Sequence, residues 1–475
     1  MQKKLFRNIF ILLLANLIVK PIWIFGIDLQ VQNTLGPADY GFYFVVFNFS
    51  FLFHILLDLG LHQFHNREVA QDPSLLKIRF GKLFFLKGLF AIFYFIVTFV
   101  FAKILGYTAA QKEMLFFLAI NQLLLSFILF SRSNFTAMQW YKLDAFFSIF
   151  DRILSVIFCA ILLYTSYFGD FNIFQFIYAQ TIALAFGALL SLVVVAIKGK
   201  VILPKLEFKT FMPLVKEALP YAIVVLLMTI YTRIDAVMLD KLLPDSGDVQ
   251  AGIYAAGYRI LDAINMVPFL LASLMIPFFA RQLKNKESFS AELWTAVELM
   301  IVISTPFVLV IAFYHQELLD FLYLGSDYRW NLSFQLLLFS FPFVFLSYIF
   351  GGFLTAAARL KSISYLALGT IVINILLNSY WIPKYGAAGA ALATFISQGL
   401  MALAQFALVI FQWDTQFEMK LLKKTAFYLS LNFVAIYAIN TSYFHWMLKI
   451  GFFIIIAIIL SLVLRLITIK KLRAL

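Results

Sequence analysis

The sequence predicts an all-α polytopic membrane protein: about 14 transmembrane helices, arranged as two pseudo-symmetric six-helix lobes plus two C-terminal helices. Three observations predict it. Hydrophobic residues make up 63% of the 475 and charged residues 13%, where soluble domains carry about 25% charged. The apolar residues run on without alternation in stretches of about 20, the length that crosses a bilayer as a helix. Lysine and arginine fall overwhelmingly in every second gap between those stretches. Disorder, a disulfide-stapled secreted domain and a cytosolic enzyme are excluded by this composition. The single cysteine, Cys159, rules out an intrachain disulfide or a cysteine metal cage.

The predicted spans are 8–27, 40–61, 83–103, 113–131, 145–167, 174–197, 218–240, 253–279, 294–314, 332–353, 363–382, 387–411, 426–439 and 447–467. The gaps are short, so no extramembrane domain fits between them. The first run has a basic flank like a signal peptide. It is too long for one and lacks a small-residue cleavage pattern, so a retained first helix is expected.

With the N-terminus set in the cytoplasm, 25 of the 37 lysines and arginines fall on the cytoplasmic side, 5 opposite and 7 inside spans. This is the positive-inside pattern, and it puts both termini in the cytoplasm. The net charge of +13 therefore reports topology, and no nucleic-acid partner is expected. Trp140, Trp294, Trp330, Trp381, Trp413 and Trp446 mark predicted helix ends, where an amphipathic ring favours the interface, and Trp23 lies deeper.

The chain also repeats itself. Gly41-Phe42-Tyr43 opens the second span and Gly252-Ile253-Tyr254 the eighth. Phe135 to Lys142 closes the fourth, and Leu354 to Lys361 closes the tenth. Six spans separate each pair, so the halves share one orientation. The predicted organisation is an N-lobe (1–197), a basic cytoplasmic linker (198–217), a C-lobe (218–411) and a C-terminal helix pair (412–475).

Three stretches carry a family resemblance. The first is Leu35-Gly36-Pro37-Ala38-Asp39-Tyr40-Gly41 with Leu57-Asp58-Leu59-Gly60-Leu61 and Arg67-Glu68. The second is Arg233-Ile234-Asp235-Ala236-Val237-Met238-Leu239 with Tyr254-Ala255-Ala256-Gly257-Tyr258-Arg259. The third is Asn374, Asn378 and Ile382 to Ala391. In these the chain resembles Wzx-type polysaccharide flippases of the multidrug/oligosaccharidyl-lipid/polysaccharide exporter superfamily. The resemblance implies two six-helix lobes in a V, a central cavity, and flipping of undecaprenyl-diphosphate-linked oligosaccharide across the bacterial inner membrane. It also implies polysaccharide polymerases as partners, alongside membrane lipids.

Catalytic signatures are absent: no GxxxxGK[ST] loop and no HExxH occur. No cofactor or metal is expected, and His62 with His65 lacks further ligands nearby. The informative residues are charges inside spans, which are costly there and usually face a cavity or a partner. Lys20, Arg233 and Arg259 are the candidate substrate-binding residues, because guanidinium groups grip phosphate bidentately and a low-dielectric wall strengthens the attraction. Asp235, Asp262 and Asp58 are the candidate coupling groups or charge partners, and ion pairs of Arg233 or Arg259 with Asp235 or Asp262 are the alternative reading. Lys87, Lys449 and Arg465 read as snorkelling to headgroups. Asn374 and Asn378 read as an interhelical hydrogen-bonding pair. Pro268 and Pro277 interrupt helix 8 as kinks or as bends. The rival functions are a lipid II flippase, a drug or cation exporter of the same superfamily, and a membrane-embedded glycosyltransferase or polymerase.

Overall fold

The computed structural model describes residues 18–165, 169–201, 211–413 and 419–467. Predicted features outside them are the start of the first helix, the basic terminal flanks and linker residues 202–210. Every described element is helical or a turn, and no strand occurs among the described residues. Each of the fourteen predicted spans overlaps a helix. Among the described residues, eleven helices are long and apolar enough to cross a membrane, so the chain is a multi-pass membrane protein. The spans outside that set are the first, the second and the thirteenth; the helix that covers the thirteenth, Met419–Asn440, opens with Lys420, Lys423 and Lys424.

The chain divides into two compact units, residues 1–252 and 253–475. In the first, a π-helical turn (Ile22–Asp28) runs into α1 (Leu29–Leu52). There follow α2 (Leu61–Gln71), α3 (Leu75–Ile104), α4 (Ala109–Ala137), α5 (Tyr141–Phe147), α6 (Phe150–Tyr164), α7 (Ile173–Lys198), α8 (Phe211–Leu242) and the start of α9 (Gly247–Ile264). Within this unit α1 packs on α4, α7 and α8, and α2 packs on α4. The second unit holds the rest of α9, then α10 (Met266–Asn285), α11 (Ser290–Leu322), α12 (Tyr328–Phe339), α13 (Phe341–Ala356), α14 (Leu360–Tyr385), α15 (Ala387–Trp413), α16 (Met419–Asn440) and α17 (Trp446–Val463). There α15 packs on α12, α13 and α14, while α16 and α17 pair with each other and lie on α11.

The structure corrects several predicted boundaries. The expected loop between the first two spans shrinks to one residue. Gly36 alone leaves the helical region (φ 77°, ψ 175°), and Pro37 restarts the helix with its φ already set. The second span does not run to residue 61: α1 stops at Leu52, a 3-10 turn (His54–Leu57) follows, and Leu59 and Gly60 take positive φ before α2 begins. The eighth span breaks at Asn265, between α9 and α10, because Pro268 has no N–H for the Ile264 carbonyl. The tenth span breaks likewise at Ser340, with Pro342 in the first turn of α13. Trp294 and Trp330 lie near the starts of α11 and α12 and are packed, at 7% and 4% exposure.

The glycines of the repeat meet. A Cβ on Gly41 would stand 1.8 Å from the Asp248 carbonyl oxygen, and one on Gly252 would stand 2.0 Å from that of Pro37. The α1 and α9 backbones therefore touch at both positions, and the Gln32 amide donates to the Gly252 carbonyl at 2.9 Å.

Asn374 and Asn378 tie α14 to α15 as expected. Asn378 donates to Asn374 at 2.9 Å, and Asn374 donates to Ser397 of α15 at 3.3 Å, with both asparagines fully buried.

Candidate functional site

One stripe of α1 and the turn that follows it carries Asn48, Phe51, His54 and Asp58, spaced three, three and four residues apart.

Arg233 of α8 meets the upper part of this stripe. Its Nη1 donates to Asn48 Oδ1 at 3.3 Å, and its guanidinium lies 5.3 Å from the centre of the Phe51 ring. Phe51 also stacks on His54, centroids 5.3 Å apart and nearly parallel. Arg233 is half-buried, while Asp235, two residues on and so turned away from it, is buried. The packing of α1 on α8 brings these residues together.

Asp58 anchors the lower end. Its Oδ1 accepts from Lys87 Nζ of α3 at 2.9 Å. Its Oδ2 accepts the backbone N–H of His62 at 3.2 Å and also meets His62 Nδ1. Asp58 thus satisfies a donor at the start of α2 that Gly60, the residue before the helix, has no side chain to reach. Lys87 gives two further hydrogen bonds, to the Leu57 carbonyl at 3.1 Å and to Ser126 Oγ of α4 at 2.8 Å. All three ammonium protons are therefore matched, and the Phe130 ring lies 5.6 Å away. Lys87 is 2% exposed, so the snorkelling expectation is overturned. Helix α3 begins at Leu75, eight residues before the predicted start, and Lys87 lies well inside it.

The stretch Leu57 to Leu61 is thus a structural turn with a buried ion pair at its centre. Glu68 of the same motif pairs with Arg79, joining α2 to α3.

Lys20 is half-buried and lies close enough to Arg152 and Arg132 for their charges to interact. Arg152 sits over the ring of Trp23 at 5.4 Å, and Trp23 stacks in turn on Phe176. Arg132 Nε donates to Asp144 Oδ1 at 2.8 Å. Arg259 and Asp262 fall in the second unit, both half-buried on α9. No group of three or more metal-ligating side chains occurs among the described residues.

Of the six predicted site residues, the structure places Lys20, Asp58, Arg233 and Asp235 in the first unit and Arg259 and Asp262 in the second. Sequence reasoning passed over Asn48, Phe51, Ser126 and Arg132 and took Lys87 for a snorkelling residue.

A helical membrane chain with charged side chains held inside apolar spans is the make-up of a transporter. Residues 5–283 match the family described as Polysaccharide biosynthesis protein, and residues 220–380 match MatE. The chain belongs to the polysaccharide biosynthesis protein family. No curated protein matches the sequence. Among solved structures, the chain is similar to the lipid II flippase MurJ in an inward closed conformation (TM-score 0.70, 16% identity, 96% of this chain and 98% of that one). It is also similar to an inward-facing multidrug resistance MATE family transporter of the MOP superfamily (TM-score 0.61, 14% identity, 83% and 97% covered). A third is the Vibrio cholerae MATE transporter VcmN in the bent form (TM-score 0.55, 14% identity, 85% and 95% covered). At these identities the likeness is one of fold.

Proposed function

We propose that this chain flips polyprenyl-diphosphate-linked oligosaccharide across the bacterial inner membrane by alternating access, for surface polysaccharide assembly. Both termini lie in the cytoplasm, and polysaccharide polymerases take up the exported product. Arg233 is the principal substrate-binding residue, with Arg259 and Lys20 assisting. Asp58, Asp235 and Asp262 balance charge or couple transport to an ion gradient.

The observation that carries this reading is the setting of Arg233. Its guanidinium is half-buried in a transmembrane helix, against the amide of Asn48 and the face of Phe51. A guanidinium fork matches phosphoryl oxygens in geometry and charge. The family match over residues 5–283 supports a polysaccharide-related cargo. Among the structural neighbours is the lipid II flippase MurJ. That neighbour makes lipid II the rival cargo. Reconstituted protein offered each lipid in turn separates the two: transport of the lipid-linked oligosaccharide is expected, and transport of lipid II alone overturns the reading. Arg233→Ala is expected to abolish transport at matched membrane abundance, and Arg233→Lys to retain part of it.

A further inference from the structure

The first unit contains an open pocket of about 370 Å3 between α2, α4 and α5. Its polar lining is His62 and Asn66 from α2, Arg132, Ser133 and Thr136 from α4, and Asp144 from α5. The sequence reading left it unassigned, and it is distinct from the surroundings of Arg233.

Most of its lining is spoken for. Asn66 Nδ2 donates to Thr136 Oγ1 at 2.8 Å, Thr136 Oγ1 donates to the Ser133 carbonyl at 2.9 Å, and Ser133 Oγ donates to the Phe130 carbonyl at 2.8 Å. Two groups keep donor capacity. Arg132 spends Nε on Asp144, which fixes the plane of the guanidinium, and its two Nη groups have no hydrogen-bond partner among the described residues. His62 spends Nδ1 on Asp58, which Lys87 holds from the other side, and its Nε2 has no partner among the described residues.

Two planar donor groups, each locked from behind by a carboxylate, therefore line one pocket. Their side chains keep 26% and 32% exposure. Lys20 and Asp151 are the further charges in electrostatic reach of Arg132. Asp144 and Asp151 both repel an anion, but Asp144 is neutralised by the Arg132 contact and Asp151 lies beside Arg152, at 3.9 Å.

We infer that this pocket receives a phosphoryl group of the lipid-linked substrate, with Arg132 Nη1 and Nη2 forking two of its oxygens and His62 Nε2 meeting a third. The assignment rests on the flippase reading for the identity of the lipid. It adds a loading site separate from Arg233.

The test uses purified full-length protein in nanodiscs of neutral lipid and measures binding of undecaprenyl diphosphate, with undecaprenol and inorganic pyrophosphate as competitors. Undecaprenyl diphosphate is expected to bind, pyrophosphate to compete at higher concentration, and undecaprenol to fail. Arg132→Gln and His62→Gln are expected to weaken binding at least tenfold. Arg132→Lys, which keeps a cation beside Asp144 but loses the fork, is expected to fall between wild type and Arg132→Gln, and its unfolding temperature checks that the protein is intact. Unchanged affinity in Arg132→Gln and His62→Gln, or equal competition by undecaprenol, overturns the site. The two readings fail separately. Full binding by Arg132→Gln with export lost in Arg233→Ala removes this site and leaves the flippase standing, whereas normal export by Arg233→Ala counts against the role of Arg233 alone.

Discussion

Lys87 and Asp58 form an ion pair at 2.9 Å in which the lysine is 2% exposed and the aspartate 6%. The pair joins α3 to the turn where the second span ends, and Ser126 brings in α4. A buried pair of this kind costs most when half of it is removed, because the remaining charge is left in an apolar surround.

Lys87→Met alone is therefore expected to destabilise the protein by about 3–5 kcal/mol. The double variant Lys87→Met with Asp58→Leu removes both charges and is expected to recover much of that loss, although the His62 backbone N–H loses its acceptor. Thermal unfolding in detergent reads both. A double variant as unstable as the single one would show that the pair does more than neutralise charge.

The Arg233 contact admits a sharper test than alanine. Asn48→Asp places a carboxylate where an amide oxygen now lies 3.3 Å from the guanidinium. The variant is expected to keep or raise its unfolding temperature, while its export falls at least tenfold, since an internal carboxylate competes with phosphate for the same donors. Undiminished export would mean that Arg233 does not serve the substrate.

The topology is tested by reporter fusions. Fusions at Gly169 and Tyr443 are expected to report the periplasm, and fusions at Lys205 and Lys423 the cytoplasm. A reversed result at Lys205 would sink the orientation, because five lysines between Lys198 and Lys216 fix it.

Two glycines separate backbone demand from steric demand. At Gly36, φ is 77° and nothing lies within 4 Å of a new Cβ. Gly36→Ala is expected to cost about 1–3 kcal/mol through strain alone, with the protein still folded. Gly41→Ala must push two backbones apart and is expected to abolish stable insertion, read as membrane abundance.

The spans were legible because lipid demands long apolar helices whatever their neighbours do. The breaks within them were not. From Phe51 to Leu57 the apolar run barely pauses, yet α1 ends at Leu52, because the turn at Asp58 to Gly60 is stabilised by Lys87 and Ser126 from helices distant in sequence. Proline gave partial warning: Pro268 was flagged, while Pro342, which acts in the same way, was not. At the site, Asp58 and Arg233 stood out as charges among apolar residues. Asn48 and Phe51 did not, since an asparagine and a phenylalanine in a membrane helix announce nothing without the partner that uses them. Lys87 misled because its predicted helix began too late, which put it within reach of headgroups.

The meeting of Gly41 and Gly252 also constrains how this gene can change. Each glycine stands clear of a main-chain carbonyl rather than of the other's side chain, and glycine has no smaller replacement. A lesion at either position therefore has no revertant at its counterpart. Second-site suppressors should instead map to residues that shift the axis of a whole helix. The chain can change elsewhere along α1 and α9, but at this pair neither glycine can be replaced without moving a backbone.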